Sequence, residues 1–248
     1  MYTKKDFELD TIDSISDDRI TSARINYYYY KRIFDFVCAG ILLIILSPLF
    51  LLLTLLILLD SPGPIFFRQK RIGSRRVIKN GSPDWQVSGF MCYKFRTMGA
   101  NADPAVHRAY IKAFINNNQD QMSDIQGGDT QLKKLVTDPR ITRIGKFLRK
   151  SSIDELPQLM NVFKGDMSLV GPRPCIPYEM DEYKSWHYQR LQAQQGITGL
   201  WQVTARCSSD FDEMVRLDIE YIENQSLWMD LKILFRTPLV VISTKGAE

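Results

Sequence analysis

The sequence predicts an α+β protein, mainly helical, in which a re-entrant helix-break-helix membrane hairpin precedes a compact globular part with a small β element. Three observations predict it. The run Phe36–Leu59 carries no charge and is broken near its middle by Ser47-Pro48. Basic residues flank it on both sides, Lys31 and Arg32 before and Arg68, Lys70, Arg71, Arg75 and Arg76 after. In the remainder, helical periodicities outnumber short strand-like runs. The 248 residues are 45% hydrophobic and 24% charged, which excludes a disordered or collagen-like chain. A net charge of +4 is too mild to imply a nucleic-acid partner. Cys38, Cys92, Cys175 and Cys207 form no CxxC pair, and His107 and His187 each stand alone. A disulfide framework and a zinc site are therefore not indicated, and a reducing setting fits.

Residues 1–30 read as a polar N-terminal arm, acidic and mobile or weakly helical, ending in Tyr27–Tyr30. Those tyrosines suit an interfacial anchor or a short turn against the protein's own surface. Residues 31–60 are the membrane segment. As a straight helix Phe36–Leu59 is about 36 Å long, enough for a hydrocarbon core of ~30 Å. Proline removes one helical hydrogen bond and clashes with the preceding turn, so Pro48 predicts a kink, with Ser47 satisfying a freed carbonyl. Each arm then covers roughly half a bilayer. Because basic residues favour the cytoplasmic side, the two clusters favour a hairpin over the alternative, a kinked single span.

Residues 61–248 form the globular part. Asp60-Ser-Pro-Gly-Pro64 is a turn cluster. Ile65–Phe67 and Phe90–Tyr93 are short strand candidates, separated by a polar loop containing Asn80-Gly81-Ser-Pro83. Residues 104–118 read as helix and 119–131 as loop. In Arg140–Lys150 the cations Arg140, Arg143, Lys146 and Arg149 recur every three residues opposite Ile141, Ile144, Phe147 and Leu148. That is an amphipathic basic helix, suited to an anionic membrane surface or to phosphates, or else an ordinary solvated helix. Residues 178–194 and 210–225 read as helices. Leu227–Ile242 reads as a second interfacial element that Pro238 breaks.

There is no GxxxxGK[ST], no GxGxxG and no GxSxG, so nucleotide loops and a serine elbow of those kinds are not indicated. The acidic pair Asp154-Glu155 has two readings. Ser152-x-x-Glu155 is a capping box with Pro157 in the first turn. Alternatively, one carboxylate is a nucleophile while its neighbour holds a divalent cation over a phosphate, with Arg149 and Lys150 supplying positive charge.

The order of motifs resembles one family. KRIFDF, SPGPIFFRQKRIG, YKFRTM, the block RITRIGKFLRKSSIDELPQLMNVFKGDMSLVGPRP (Arg140–Pro174), ITGLWQV and LDIEYIENQSLWMDLKIL are similar to the bacterial sugar transferases, the monotopic polyprenyl-phosphate sugar-1-phosphate transferases. The resemblance runs from about residue 31 to 244 and points to the small form, without an N-terminal multi-helix domain. It implies a re-entrant helix broken at Ser47-Pro48 and a catalytic domain on the cytoplasmic face of the bacterial inner membrane. It implies transfer of a sugar-1-phosphate from a UDP-sugar to polyprenyl (undecaprenyl) phosphate, releasing UMP through an aspartyl-phosphosugar intermediate. That is a first membrane step in building capsule, exopolysaccharide, O-antigen or another glycan. By motif position Asp154 is the nucleophile, Glu155 the Mg2+ ligand and Arg149 a cation beside them. Arg173, Arg206 and Asp218 fall at phosphate- and substrate-binding positions, Lys150 adds charge, and Lys94 and Arg96 shape the site. Gln195 stands where the family usually has proline, and Ala205 where it usually has glycine before Arg206. Loop 72–92 and residues 100–138 are longer than the family's short form, which places specificity or self-association there. A homodimer is left open as a partner.

Two rivals stand beside this reading. A glycosyltransferase releasing UDP would use Asp210-Phe-Asp212 as a metal-holding D-x-D, although that triplet also suits a helix N-terminus. A non-catalytic membrane-anchored protein would use the basic helix to recruit a partner.

Overall fold

The computed structural model describes residues 22–79, 82–99, 105–126, 140–204 and 210–242. It is mainly helical with a small amount of sheet. Most of the polar arm lies outside the described residues, and the first helix, α1 (Ser22–Ile45), already includes the four tyrosines. α1 meets α2 (Ser47–Asp60) at Leu46 with a bend of 60°. Pro48 has no N–H for the carbonyl of Ile44, and the Ser47 hydroxyl donates to that carbonyl at 2.8 Å, as the Ser-Pro pair predicted. Among the described residues no single helix is long and apolar enough to cross a membrane; the bent pair together is.

The two arms differ in what they touch. On α1, Lys31, Asp35 and Ala39 recur every fourth residue and are buried, so this stripe faces protein. The opposite side exposes Ile33, Val37, Ile41, Ile44 and Ile45. α2 buries Leu53 and Ile57 against Phe95 and Leu148 and leaves Leu51, Leu55 and Leu59 exposed.

The polar loop expected between two short strands is instead a long antiparallel ribbon. β1 (Phe66–Lys79) pairs with β2 (Ser82–Phe95) from Phe66↔Phe95 to Lys79↔Ser82. In its outer half, Gly73–Lys79 against Ser82–Ser88, the apolar residues Val77, Ile78, Trp85 and Val87 are scattered among polar ones and sustain no long alternation, so the sequence does not announce a strand there. Asn80-Gly81 between the strands is the sequence signature of a tight hairpin.

Beyond the ribbon come α3 (Ala105–Ile115) and α4 (Gln119–Gln126), the latter where a loop was expected. The Asn118 side chain accepts from the Gln121 N–H, and Met122 packs with Tyr110 and Ala113, which together stabilise so short a helix. α5 (Arg143–Lys150) is the expected basic helix, with Thr142 accepting from Gly145 N–H at 3.0 Å as its N-cap. A 3₁₀ turn, Ile153–Gln158, leads into α6 (Leu159–Lys164). β3 (Ser168–Val170) pairs parallel with β4 (Gly196–Thr198). Gly171 and Gly196 touch backbone to backbone at the end of this pair, leaving no room for a Cβ on either.

The helix expected over 178–194 is two 3₁₀ turns, Pro177–Glu182 and Ser185–Leu191. α7 (Leu200–Thr204) and α8 (Phe211–Glu223) follow. α9 (Leu227–Ile242) runs through Pro238 rather than breaking there. The main core gathers Leu159, Val162, Met167, Val170, Tyr221 and Ile233 around Ala39 of α1, so the base of the first helix belongs to the globular core. A buried polar knot reinforces it. Lys31 pairs with Asp230 of α9 at 2.7 Å, Tyr27 and Tyr221 donate to the same carboxylate, and Asp35 accepts from the Leu169 N–H.

Candidate active site

Between α5 and the 3₁₀ turn the chain reverses through Ser152, at φ 55°. That left-handed backbone is incompatible with the extended geometry of an N-cap, and the predicted capping box does not form. The Ser152 side chain makes no capping hydrogen bond, and its carbonyl accepts from Glu155 N–H instead. The reversal lifts Asp154 and Glu155 off the end of the basic helix and turns them towards the base of the β ribbon.

The two carboxylates are treated unequally. Lys94 of β2 donates to Glu155 at 2.6 Å, and an Arg173 guanidinium nitrogen lies 3.6 Å from the same oxygen. Among the described residues, Asp154 has no such hydrogen-bonded or ion-paired partner. Burial pushes Asp154 up to about 6; Lys94 opposes this, the charge of Glu155 adds to it, and Arg149 and Arg173 pull it down. Burial acts on Glu155 in the same direction, but Lys94 and Arg173 outweigh it and hold Glu155 well below the usual carboxylate range. In turn, Glu155 raises Arg173 against the opposing effect of burial. One carboxylate is thus neutralised by cations, and the other is left available and more basic. Pairs of acids whose environments push their pKa values apart are divided between roles.

The cations are fixed by a shell that the motifs did not reveal. Arg173 follows β3, and its carbonyl accepts from Arg190, which pairs with buried Asp218 at 2.6 Å. Asp218, expected as a substrate-binding residue, thus reaches the site only through Arg190 and the Arg173 backbone. Burial pushes it up to about 6, with Arg190 opposing. Arg71 of β1, buried, donates to the Pro174 carbonyl and to the Gln69 side chain. Gln195, in the place of the family's usual proline, is buried. Its amide accepts from Ser74 N–H and donates to the Ala193 carbonyl, joining the ribbon to the segment entering β4.

Other expected residues fall elsewhere. Arg96 does not face the acid pair; it is buried at the end of α2 and donates to the carbonyls of Ile57, Ser61 and Pro62. Arg149 and Lys150 lie exposed at the end of α5. Arg206 lies outside the described residues. Asp210 caps α8 by accepting from Glu213 N–H, and Asp212 is held by Lys184 and His187, so this D-x-D serves a helix terminus. His187 is a satisfied core histidine.

Among the described residues no three acidic, histidine or cysteine side chains gather as a metal cage. The hard-oxygen carboxylate of Glu155 still fits Mg2+, which commonly takes one or two protein carboxylates and completes its shell with phosphate oxygens and water.

The model of a family described as bacterial sugar transferase matches residues 26–244. The chain is 40% identical over 219 residues to the undecaprenyl-phosphate galactose phosphotransferase of Salmonella typhimurium, covering 88% of this chain and 42% of that one. It is 37% identical over 217 residues to the exopolysaccharide production protein ExoY of Rhizobium meliloti, covering 88% and 87%. With the UDP-glucose:undecaprenyl-phosphate glucose-1-phosphate transferase of Caulobacter vibrioides it shares 40% over 226 residues, 88% and 71% of the two chains. The chain therefore spans less than half of the Salmonella relative and most of the other two. With a family match over nearly its whole described length and the acid pair set among cations, the chain belongs to the bacterial sugar transferase family.

Proposed function

We propose that this protein is a phosphoglycosyl transferase that moves a sugar-1-phosphate from a UDP-sugar to undecaprenyl phosphate on the cytoplasmic leaflet of the bacterial inner membrane. The observation that carries the reading is the inequality of the acid pair, with Asp154 raised by burial and without an ion-pair partner among the described residues, beside Glu155 clamped by Lys94 and Arg173. The names of the Salmonella and Caulobacter relatives support the two substrate classes.

In the first half-reaction a carboxylate oxygen of Asp154 attacks the phosphorus that bears the sugar. The bond from that phosphorus to the bridging oxygen breaks, and UMP leaves with the electron pair. In the second, an oxygen of polyprenyl phosphate attacks the same phosphorus. The acyl-phosphate bond breaks, Asp154 regains its carboxylate, and a polyprenyl-diphosphate sugar results. Arg173 and Lys94 are placed to neutralise phosphoryl oxygens, since such transfer depends on positioning and charge rather than on covalent invention. Glu155 would hold Mg2+ together with the diphosphate, and the ion, when bound, supplies further neutralisation of phosphate charge. Taking the substrates in turn lets a soluble nucleotide sugar and a membrane lipid share one nucleophile. The bent α1–α2 pair, with exposed apolar residues on both arms, supports the re-entrant seat in the bilayer.

The experiment is nucleotide release from a panel of UDP-sugars, with polyprenyl phosphate and Mg2+, by wild type and Asp154→Asn. UMP from one donor, lost in the variant, is the expected result. UDP as product would establish a glycosyltransferase instead, and turnover unaffected by Asp154→Asn would remove Asp154 from the chemistry.

A further inference from the structure

α3 belongs to the 100–138 region, which is longer than the family's short form, and three contacts in a row clasp it to the 3₁₀ turn Pro177–Glu182. His107 Nδ1 and the Tyr178 hydroxyl are 2.7 Å apart, Arg108 pairs with Asp181 at 3.4 Å, and Lys112 pairs with Glu182 at 3.1 Å. That turn directly continues the Arg173–Ile176 segment. The segment is pinned to the ribbon by Arg71 on the Pro174 carbonyl and by the bridge Ile72↔Cys175. His107 and Tyr178 are therefore tied to the segment that carries Arg173 and is held by Arg71, close enough for the charges of both arginines to act on His107.

Their chemistry differs from that of the cations around them. Burial holds the His107 imidazole neutral, at about 4, and the charges of Arg71, Arg149, Arg140 and Arg173 act on it in the same direction. The pair is thus an uncharged hydrogen-bonding group among guanidiniums. Phosphoryl oxygens find better partners in the cations. What adjoins the attacked phosphorus, away from the departing UMP, is the sugar, whose hydroxyls need uncharged groups that both donate and accept. An imidazole and a phenol supply that. The face of the Tyr178 ring approached by Arg108 is partly covered, at 5.4 Å, which leaves its hydroxyl edge as the polar handle.

We infer that His107 and Tyr178 form the subsite that reads the hydroxyls of the donor sugar, an inference that rests on the sugar-phosphate transfer proposed above. The test is calorimetric binding of UDP-galactose, UDP-glucose, UDP-N-acetylgalactosamine and UMP to the full-length Asp154→Asn chain, alone and combined with Tyr178→Phe or His107→Ala. The tightest-binding UDP-sugar should weaken about tenfold with either added change, the loss of one hydrogen bond, while UMP is unaffected. Discrimination among the three sugars should fall with it. Equal weakening of UMP, or no weakening of the sugar nucleotide, overturns the inference. Tyr178→Phe keeps the ring and its volume, so a melting curve matching its parent separates a lost contact from a lost fold. Persistent UMP release by Asp154→Asn would sink the nucleophile assignment while leaving the binding comparison intact. A chain that binds no UDP-sugar would overturn both.

Discussion

At the scale of single residues, the site works by giving two adjacent carboxylates different surroundings, and pH is the direct probe of that difference. In the proposed mechanism Asp154 must be ionised to attack, and burial, which pushes it up to about 6, places that ionisation inside the assay range. kcat/KM should rise with pH through about 6 and then level off, and Asp154→Asn should abolish the rise with the activity. Because burial favours the protonated form, the native state holds this proton more tightly than the unfolded chain does. Its contribution to stability is therefore present at low pH and lost as pH climbs through the folded value. Asp154→Asn should consequently melt at or above the wild-type temperature at pH 7 while being inactive. Lys94→Gln removes the charge that lowers both acids. Its acid limb should move to higher pH, a displacement that simple unfolding would not produce. Asp154, Glu155 and Lys94 were legible in the sequence because they sit in contiguous motifs. Arg71, Arg190 and Gln195 were not, since each acquires its role from a partner about 30 to 120 positions away. The assignment of Arg96 to the site misled for the same reason, its partners being carbonyls on a different element.

Elements were legible where periodicity is strong and hidden where tertiary support replaces it. α5 announces itself by cations every third residue, and the break at Ser47-Pro48 by the chemistry of proline. The long ribbon, α4 and the unbroken α9 do not. The ribbon's distal pairs mix Val77, Ile78 and Trp85 with polar residues without a sustained alternation, α4 depends on Asn118 and on packing with α3, and in α9 the Thr237 hydroxyl donates to the Ile233 carbonyl in the turn that Pro238 interrupts. Two measurements belong to this scale. Removing the Arg96 guanidinium takes this donor from the Ser61 and Pro62 carbonyls just beyond α2, and Arg96→Ala should cost about 1–3 kcal/mol in denaturant unfolding. Single cysteines introduced at positions 61 to 76 should resist membrane-impermeant thiol reagents added from outside intact cells. Labelling there, with the N-terminus shown to be cytoplasmic, would replace the hairpin with a span.

For the molecule as a whole, the hairpin and the globular part behave as one folded unit, because the base of α1 enters the core beside α6, β3 and α9. The Lys31–Asp230 pair, with the Tyr27 and Tyr221 hydroxyls on the same carboxylate, makes that joint costly to disturb. Asp230→Asn leaves a buried ammonium without its counter-charge and should destabilise by about 3–5 kcal/mol, whereas Lys31→Met with Asp230→Leu should recover much of the loss. Chemical denaturation of the two variants in the same detergent checks the difference. Arg96 gives the joint a second consequence. It holds the end of an apolar helix, and it lies two residues from Lys94, the ammonium that sets the charge on the acid pair. One three-residue stretch of chain, Lys94 to Arg96, thus grips the acid pair at one end and the close of an apolar helix at the other.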